Sequence, residues 1–249
     1  EVSGDDFART LAWARRRQQR ELAERVPVFD CVRLDPAPRI DGQAGEMEWI
    51  TDEARIQITA RYGQEVFDLA VFRAGYDDRC LYLCYHVSGL GPLANAGGDW
   101  RRLFKTGAAV ELKLGTDPKA AADRPGPEAG DVRLLMTMQG GRPVAVLYEP
   151  VCPGAAAGEG WSTSTPAGGT ASFDRVRRLE GARIASAETP DGYVLEAAVP
   201  LEELGLKVES GLRLKMDWGV LSAGPEGNSV ARRLYWAEQS AIVTSDEPS

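Results

Sequence analysis

Residues 212–221 read LRLKMDWGVL, and their alternation decides the fold. Apolar residues occupy every second position from Leu212 to Val220, and the charged residues Arg213, Lys215 and Asp217 lie between them. Side chains of a strand alternate between its two faces, so this pattern predicts a sheet with one apolar and one polar face. The segments 110–114 and 132–138 repeat it. The charged face is either solvated surface or a polar platform that binds a ligand. The function of the protein depends on which of the two it is.

Composition limits the class of protein and of partner. The chain has 249 residues with 43 % apolar content, enough for one large β domain. Its 27 Gly and 15 Pro indicate many turns. A net charge of −8 argues against a nucleic-acid partner, and no stretch has the roughly 20 apolar residues of a membrane span. The sequence does not begin with Met, and we expect it to be a piece of a longer protein.

Short strands with turn signals fill the chain after Pro27. They are predicted at 28–34, 56–59, 67–73, 80–87, 109–114, 132–139, 144–148, 183–188, 193–199, 212–221 and 230–236. Many short strands with little helix between them favour an all-β fold, an antiparallel β-sandwich of the jelly-roll or immunoglobulin-like kind. The segments 115–130 and 150–169, rich in Gly, Ala and Pro, are predicted to be mobile loops.

A helix is predicted over 5–25, because Asp5 or Asp6 can cap it and Pro27 ends it. The predicted organisation is therefore a linker helix at 1–26, leading in from a preceding domain, and a sandwich domain at 27–249. The four cysteines are expected to be buried free thiols, since Cys80 and Cys84 lie too far apart along one strand for a disulfide.

Signatures of catalysis are missing from the sequence, and aromatic residues carry more information. No nucleophile elbow, phosphate-binding loop or metalloprotease motif is present, so a non-enzymatic role is expected. Sugars pack their C–H faces on flat aromatic rings, while their hydroxyls need carboxylates, amides or guanidinium groups nearby. Trp218 belongs to the apolar face, whereas Trp100 and Trp161 lie in Gly-rich loops and Trp236 ends a strand beside charged residues.

Five short motifs, in order along the chain, resemble family 9 carbohydrate-binding modules and their DOMON-like relatives. They are PRIDG at 38–42 followed by Trp49, YDDRCLYL at 76–83, GAAVEL at 107–112, GYVLEAAVP at 192–200 and RLYW at 233–236. The resemblance extends from Val28 to Ser249. It implies a β-sandwich from secreted or cell-surface bacterial proteins that is attached to other modules.

In the sugar-binding members of that family, a pair of tryptophans clamps the end of a glycan and polar side chains on nearby strands bind its hydroxyls. By position, Trp236 matches one clamp residue and Trp100 is a looser match for the other. Glu111 and Arg133 match the carboxylate and the arginine on adjacent strands. No cofactor is certain, but a structural calcium ion occurs in some members. Its candidate oxygen ligands here are Asp41, Asp77 and Asp78, although acidic residues in turns commonly bind no metal.

The resemblance leaves alternatives to carbohydrate binding. Some DOMON-like sandwiches bind haem for electron transfer, and His86 together with Met136, Met138 or Met216 are the candidate axial ligands. A third interpretation is a structural or protein-interaction sandwich without a ligand. It is kept open by Ala108, which stands where the family often has Asp.

Overall fold

The computed structural model describes residues 27–45, 47, 50, 52–59, 66–121, 124–164 and 169–237. The chain divides into two compact units, Glu1–Asp30 and Cys31–Ser249, and every strand given below belongs to the second. The helix predicted at 5–25 lies outside the described residues, as does Trp49. That helix and the domain boundary at 26/27 therefore stay predictions. No helix in the described ranges is both long and apolar enough to cross a membrane.

Fourteen strands and one 3-10 helix, Trp100–Lys105, make up the regular structure of the described residues. The strands are β1 Val32–Arg33, β2 Ala54–Thr59, β3 Val66–Tyr76, β4 Cys80–Ser88, β5 Ala109–Gly115, β6 Asp131–Gln139, β7 Arg142–Glu149, β8 Trp161–Ser164, β9 Thr170–Phe173, β10 Arg175–Arg178, β11 Arg183–Thr189, β12 Gly192–Pro200, β13 Lys215–Ala223 and β14 Val230–Tyr235. The predicted all-β fold is confirmed.

Two six-stranded sheets form the sandwich. Sheet A has the order β1-β3-β4-β12-β11, with β2 also paired to β3, and sheet B has the order β10-β7-β6-β5-β13-β14. All pairs are antiparallel except β1 with β3. The turn between β6 and β7 consists of Gly140 and Gly141, both at positive φ. A two-residue hairpin of this kind requires that conformation, which glycine adopts without steric cost.

The core between the sheets is built from the alternating apolar residues. Phe72 and Tyr85 of sheet A pack against Trp218 of sheet B, with ring centroids 5.2 and 6.0 Å from the indole. Leu112 and Leu134 lie in register with Trp218 across β5 and β6 and are buried as well. The apolar face predicted from the alternation in the sequence is therefore the face of sheet B that packs against sheet A.

Part of the other face of sheet B is also buried, so it is not simply a solvated surface. The 3-10 helix and a separate hairpin of β8 and β9 cover it. A second apolar cluster fills the space beneath them, comprising Leu103, Phe104, Ala109, Leu135, Val146, Tyr148, Ala171, Phe173, Val176 and Leu221. The prediction of a loop throughout 150–169 was wrong at Trp161–Ser164, which forms β8.

The outer face of sheet A is covered by the segment that follows β1. Leu34, Met47 and Ile50 pack there against Tyr82 and Val194 of the sheet. The carboxylate of Glu196 is buried below the segment and accepts hydrogen bonds from the backbone N–H groups of Asp41 and Gly42, at 3.1 and 2.8 Å. Each sheet is therefore buried on both of its faces over part of its area.

The four cysteines are free, as predicted, but their burial differs from the prediction. Cys84 is buried, Cys80 and Cys152 are partly exposed, and Cys31 is exposed. Cys84 lies on the covered face of sheet A, next to Val194 and Ala198 in the same apolar cluster. A thiol is thus buried only where another segment packs over its position in the sheet. The residue type alone does not indicate where this occurs.

Candidate functional site

Glu111 and Arg133 meet on the outer face of sheet B, beneath the 3-10 helix. Arg133 donates to Oε1 of Glu111 from Nε, at 3.1 Å, and also from Nη2. The hydroxyl of Tyr235 donates to Oε2 of the same carboxylate at 2.7 Å. The relative exposures are 0 % for Glu111, 3 % for Arg133 and 5 % for Tyr235. We call these three residues the acid–arginine–tyrosine cluster.

Strand register assembles the cluster. Glu111 of β5 lies opposite Gly219 of β13, and Gly219 lies opposite Tyr235 of β14. A Cβ atom at position 219 would come within 2.4 Å of the Tyr235 ring. Gly219 therefore provides the space through which the Tyr235 ring reaches across to Glu111.

The cluster is ionised and its charges stabilise each other. Burial by itself would raise the pKa of Glu111, but the charges of Arg133 and Arg233 and the hydrogen bonds from Arg133 and Tyr235 lower it below the usual value. Burial opposes the charged form of Arg133, yet Glu111 raises its pKa above the usual range. For Tyr235, burial and the neighbouring carboxylate both raise the pKa. At neutral pH the cluster is an anion, a cation and a neutral phenol.

Phe104 of the 3-10 helix closes the space above the cluster. Its ring lies 4.5 Å from Cζ of Arg133, a cation–π contact, and its side chain is fully buried. Hydrogen bonds to backbone carbonyls hold the helix to the sheet: Arg233 donates to Phe104 at 2.6 Å and Tyr148 donates to Arg101 at 3.2 Å. A ligand can reach the guanidinium and the carboxylate only if this segment moves.

Half-buried tryptophans border the same covered face. Trp100 begins the 3-10 helix, and guanidinium groups of Arg101 and Arg178 lie 4.8 and 5.3 Å from its ring centroid. Trp161 of β8 packs against Phe104 and Phe173, with centroids 6.0 and 6.2 Å away. Exposure of loop tryptophans was predicted, and both rings are partly exposed.

Trp236 does not join the acid–arginine–tyrosine cluster. Its backbone N–H donates to the carbonyl of Trp218 at 3.0 Å, so Trp236 continues the ladder opposite Trp218, and its relative exposure is 8 %. The alternation of the strand gives Tyr235 the face of Glu111 and turns Trp236 away from it. The sequence reasoning missed Tyr235 and Phe104. Tyr235 could have been found from the sequence, because it lies two residues after Arg233 and so shares the charged face of the predicted strand.

The three aspartates predicted as calcium ligands do not form a metal site. Oδ1 of Asp77 accepts from the backbone N–H groups of Arg79 and Cys80, both at 2.7 Å, and Oδ2 accepts from the Tyr82 hydroxyl at 2.8 Å. Asp78 instead pairs with Arg33, as described below. The oxygens of Asp77 are thus occupied by the turn.

Asp41, the third of the predicted ligands, accepts from the backbone N–H of Gln43 at 3.1 Å and lies above Glu196. Over the described ranges, no three His, Cys, Asp or Glu side chains are placed to hold a metal ion. The residues therefore do not fit the calcium ion that the resemblance implied.

The candidate haem ligands are also separated. His86 follows Tyr85 in β4 and so falls on the outer face of sheet A. Met136 shares the face of Leu134 in β6, which points from sheet B toward sheet A, and it is fully buried. Met138 and Met216 have the same phase as Met136. Sheet A stands between His86 and all three methionines.

Comparisons with known proteins give similarities of overall architecture. No protein-family model and no curated protein matches the chain. Among solved structures, the chain is similar to a family 9 carbohydrate-binding module from Caldicellulosiruptor kristjanssonii in complex with glucose, with a TM-score of 0.48 and 15 % identity over 87 % of this chain and 89 % of that one. It is also similar to a family 9 module from the same organism in complex with cellotriose, with a TM-score of 0.43 and 18 % identity over 82 % of this chain and 80 % of that one.

Proposed function

We propose that this domain is a non-catalytic carbohydrate-binding module with its site on the outer face of sheet B. The observation that carries the proposal is the acid–arginine–tyrosine cluster lying under an aromatic cover, outside the core that joins the two sheets. We further propose that the ligand is the end of a polysaccharide chain, that the module targets an attached protein to it, and that it acts outside the cell or at its surface.

The chemistry of the face supports this proposal. Removing Glu111 and Arg133 from water costs several kcal/mol per ion, and apolar residues at these two positions would avoid that cost. A sugar ring in place of the Phe104 ring would accept from Arg133 and donate to Glu111 through its hydroxyls. Trp100 and Trp161 at the border offer indole faces for the C–H side of a sugar. Because the cover must move first, the apparent affinity is reduced by the population of the open form.

Titration calorimetry against glucose, cello-oligosaccharides and xylo-oligosaccharides tests the proposal. We expect binding by the unmodified protein and tighter binding by Phe104→Ala, which removes the ring that fills the site. Phe104→Leu also removes the aromatic ring but keeps an apolar side chain, so it serves as the second variant if Phe104→Ala does not fold. Trp100→Ala should weaken binding, and Trp100→Phe, which keeps a stacking surface, should restore part of it. The proposal is rejected if both Phe104 variants have native circular dichroism spectra and neither binds any of the glycans.

A second candidate is a structural or protein-interaction sandwich without a ligand. The complete burial of Glu111, with both carboxylate oxygens already hydrogen-bonded, favours it. In that case Phe104→Ala lowers the free energy of unfolding without creating affinity for any sugar. Calorimetry and urea unfolding of the same variant therefore separate the two candidates.

A further inference from the structure

A cleft of about 950 Å³ opens on the outer face of sheet A, on the opposite side of the sandwich from the acid–arginine–tyrosine cluster. Its lining includes Tyr76, Arg79, Cys80, Tyr82, Arg183 and Leu206. These residues come from the turn between β3 and β4, from the start of β11 and from the segment that follows β12. We call it the sheet A cleft.

Strand register forms the floor of the sheet A cleft. Arg183 of β11 lies opposite Ala198 of β12, and Ala198 lies opposite Tyr82 of β4. Directly paired residues share a face, so Arg183, Ala198 and Tyr82 follow one another on the outer face of sheet A, about 10 Å from the first to the last. Ala198 is buried in the apolar cluster of that face, whereas Arg183 and Tyr82 line the cleft. On one side the wall is fixed by a hydrogen bond from the backbone N–H of Leu201 to the carbonyl of Arg79, at 2.8 Å.

The acidic residues of the sheet A cleft are largely engaged. The carboxylate of Asp77 accepts the three hydrogen bonds of the β3–β4 turn described above. Asp78 forms an ion pair with Arg33 at 2.8 Å. Among the lining residues, Glu202 is the remaining acid.

The basic residues of the cleft, in contrast, are available. Arg79, Arg183 and Lys207 are exposed, and none of the three forms an ion pair within the part of the chain that the structure describes. Burial and the charge of Asp77 raise the pKa of the Cys80 thiol, and the charges of Arg183 and Arg79 oppose that rise. The lining has four basic and three acidic residues, so the formal charge of the cleft is +1 in a chain with net charge −8.

We propose that the sheet A cleft binds an anionic sugar, a hexuronate or a hexose phosphate. Guanidinium groups bind carboxylate and phosphate oxygens through paired hydrogen bonds, and Arg79 and Arg183 present two such groups over one floor. The half-buried Tyr76 ring supplies apolar surface for the C–H side of the sugar, and the buried Leu206 side chain packs at the wall of the cleft. The volume lies in the range of small-molecule sites.

Calorimetry at low salt with glucuronate, glucose 6-phosphate and glucose tests this site. At least one anion should bind the sheet A cleft about tenfold or more tightly than glucose binds the same cleft, a difference of about 1.4 kcal/mol. Binding of glucuronate alone identifies the carboxylate as the recognised group, and binding of glucose 6-phosphate alone identifies the phosphate. Arg183→Gln and Arg79→Gln should each lose about tenfold in affinity. The matched control is Arg142→Gln, an exposed arginine at the β6–β7 turn, which should bind as the unmodified protein does.

Alkylation of Cys80 locates the ligand. This thiol lines the cleft and is partly exposed, so a bound anion should slow its modification, measured peptide by peptide by mass spectrometry. Cys152, on another surface, should react at an unchanged rate. The proposal is overturned if neither anion binds, if glucose protects Cys80 as well as the anion does, if Arg142→Gln loses as much affinity as Arg183→Gln, or if binding leaves Cys80 unprotected.

Discussion

At the scale of single residues, Glu111 connects three strands through its two carboxylate oxygens. We expect Glu111→Gln to lower the free energy of unfolding at neutral pH by about 3–5 kcal/mol, because it leaves the buried Arg133 without a counter-charge. Urea unfolding followed by circular dichroism measures the loss. The control is Glu180→Gln, at an exposed position, which should change stability by less than about 0.5 kcal/mol.

The pH dependence of the same variant gives a second readout. The pKa of Glu111 is lower in the folded protein than in the unfolded chain, so its contribution to stability is fully present above the unfolded value of about 4.3. That contribution is lost as the pH falls through the folded pKa. Stability of the unmodified protein should therefore drop more steeply below about pH 5 than that of Glu111→Gln. If the free energy of unfolding of the two proteins fell with the same slope below pH 5, the lowered pKa of Glu111 would be contradicted.

Residues of four of the five sequence motifs join the motifs in two pairs. Glu111 of GAAVEL binds Tyr235 of RLYW, and Gly42 of PRIDG binds Glu196 of GYVLEAAVP. The sequence showed the motifs and the strand phases, because both are local. It did not show that buried polar groups join motifs across more than 100 residues, because such pairs form only when register and cover are known.

At the scale of elements, the covers of the two sheets were harder to predict than the sheets. Alternation in 110–114 and 132–138 identified long strands that match β5 and β6 closely. For 212–221 the strand was predicted correctly but β13 begins three residues later, at Lys215, and ends at Ala223. The hairpin of β8 and β9 was missed because its short strands lie within Gly-rich sequence. Its one local signal was the alternation of Ala171 and Phe173 with polar neighbours. The two alternatives for the charged face, solvated surface or ligand platform, therefore did not include the cover that the hairpin and the 3-10 helix provide over part of it.

The segment that covers sheet A depends on Gly42, and this gives a sharp prediction. Gly42 has φ of +84°, and a Cβ atom there would lie 3.0 Å from the backbone of Ser186. Gly42→Ala should lower the free energy of unfolding by about 1–3 kcal/mol, because it adds both backbone strain and a close contact. Gly45→Ala is the matched control, since a Cβ atom at Gly45 would meet nothing within 4 Å. Equal thermal stability of the two variants would mean that the segment does not dock as described.

At the scale of the whole molecule, buried tyrosines lie in all three apolar layers of the sandwich: between the two sheets and under the cover of each sheet. Burial raises the pKa of five of the six tyrosines in the part of the chain that the structure describes. These are Tyr82, Tyr85, Tyr148, Tyr193 and Tyr235. Tyr85 lies between the sheets and donates to the backbone carbonyl of Glu111 at 3.1 Å, whereas Tyr148 and Tyr235 lie under the cover of sheet B. The ionisation of these tyrosines therefore indicates whether water has entered each of the separate buried layers.

We expect these five tyrosines to ionise together with unfolding. Their folded pKa values lie above the unfolded value of about 10, so above that pH the folded protein binds more protons than the unfolded chain and stability falls as the pH rises. Tyrosinate absorbance in the near ultraviolet should therefore appear in one cooperative step that coincides with the loss of the circular dichroism of the strands. The chain unfolded in urea should instead titrate gradually near pH 10. If tyrosinate formed while the strands stayed native, the buried layers would be open to solvent, and the sealed outer face of sheet B would have to be reconsidered.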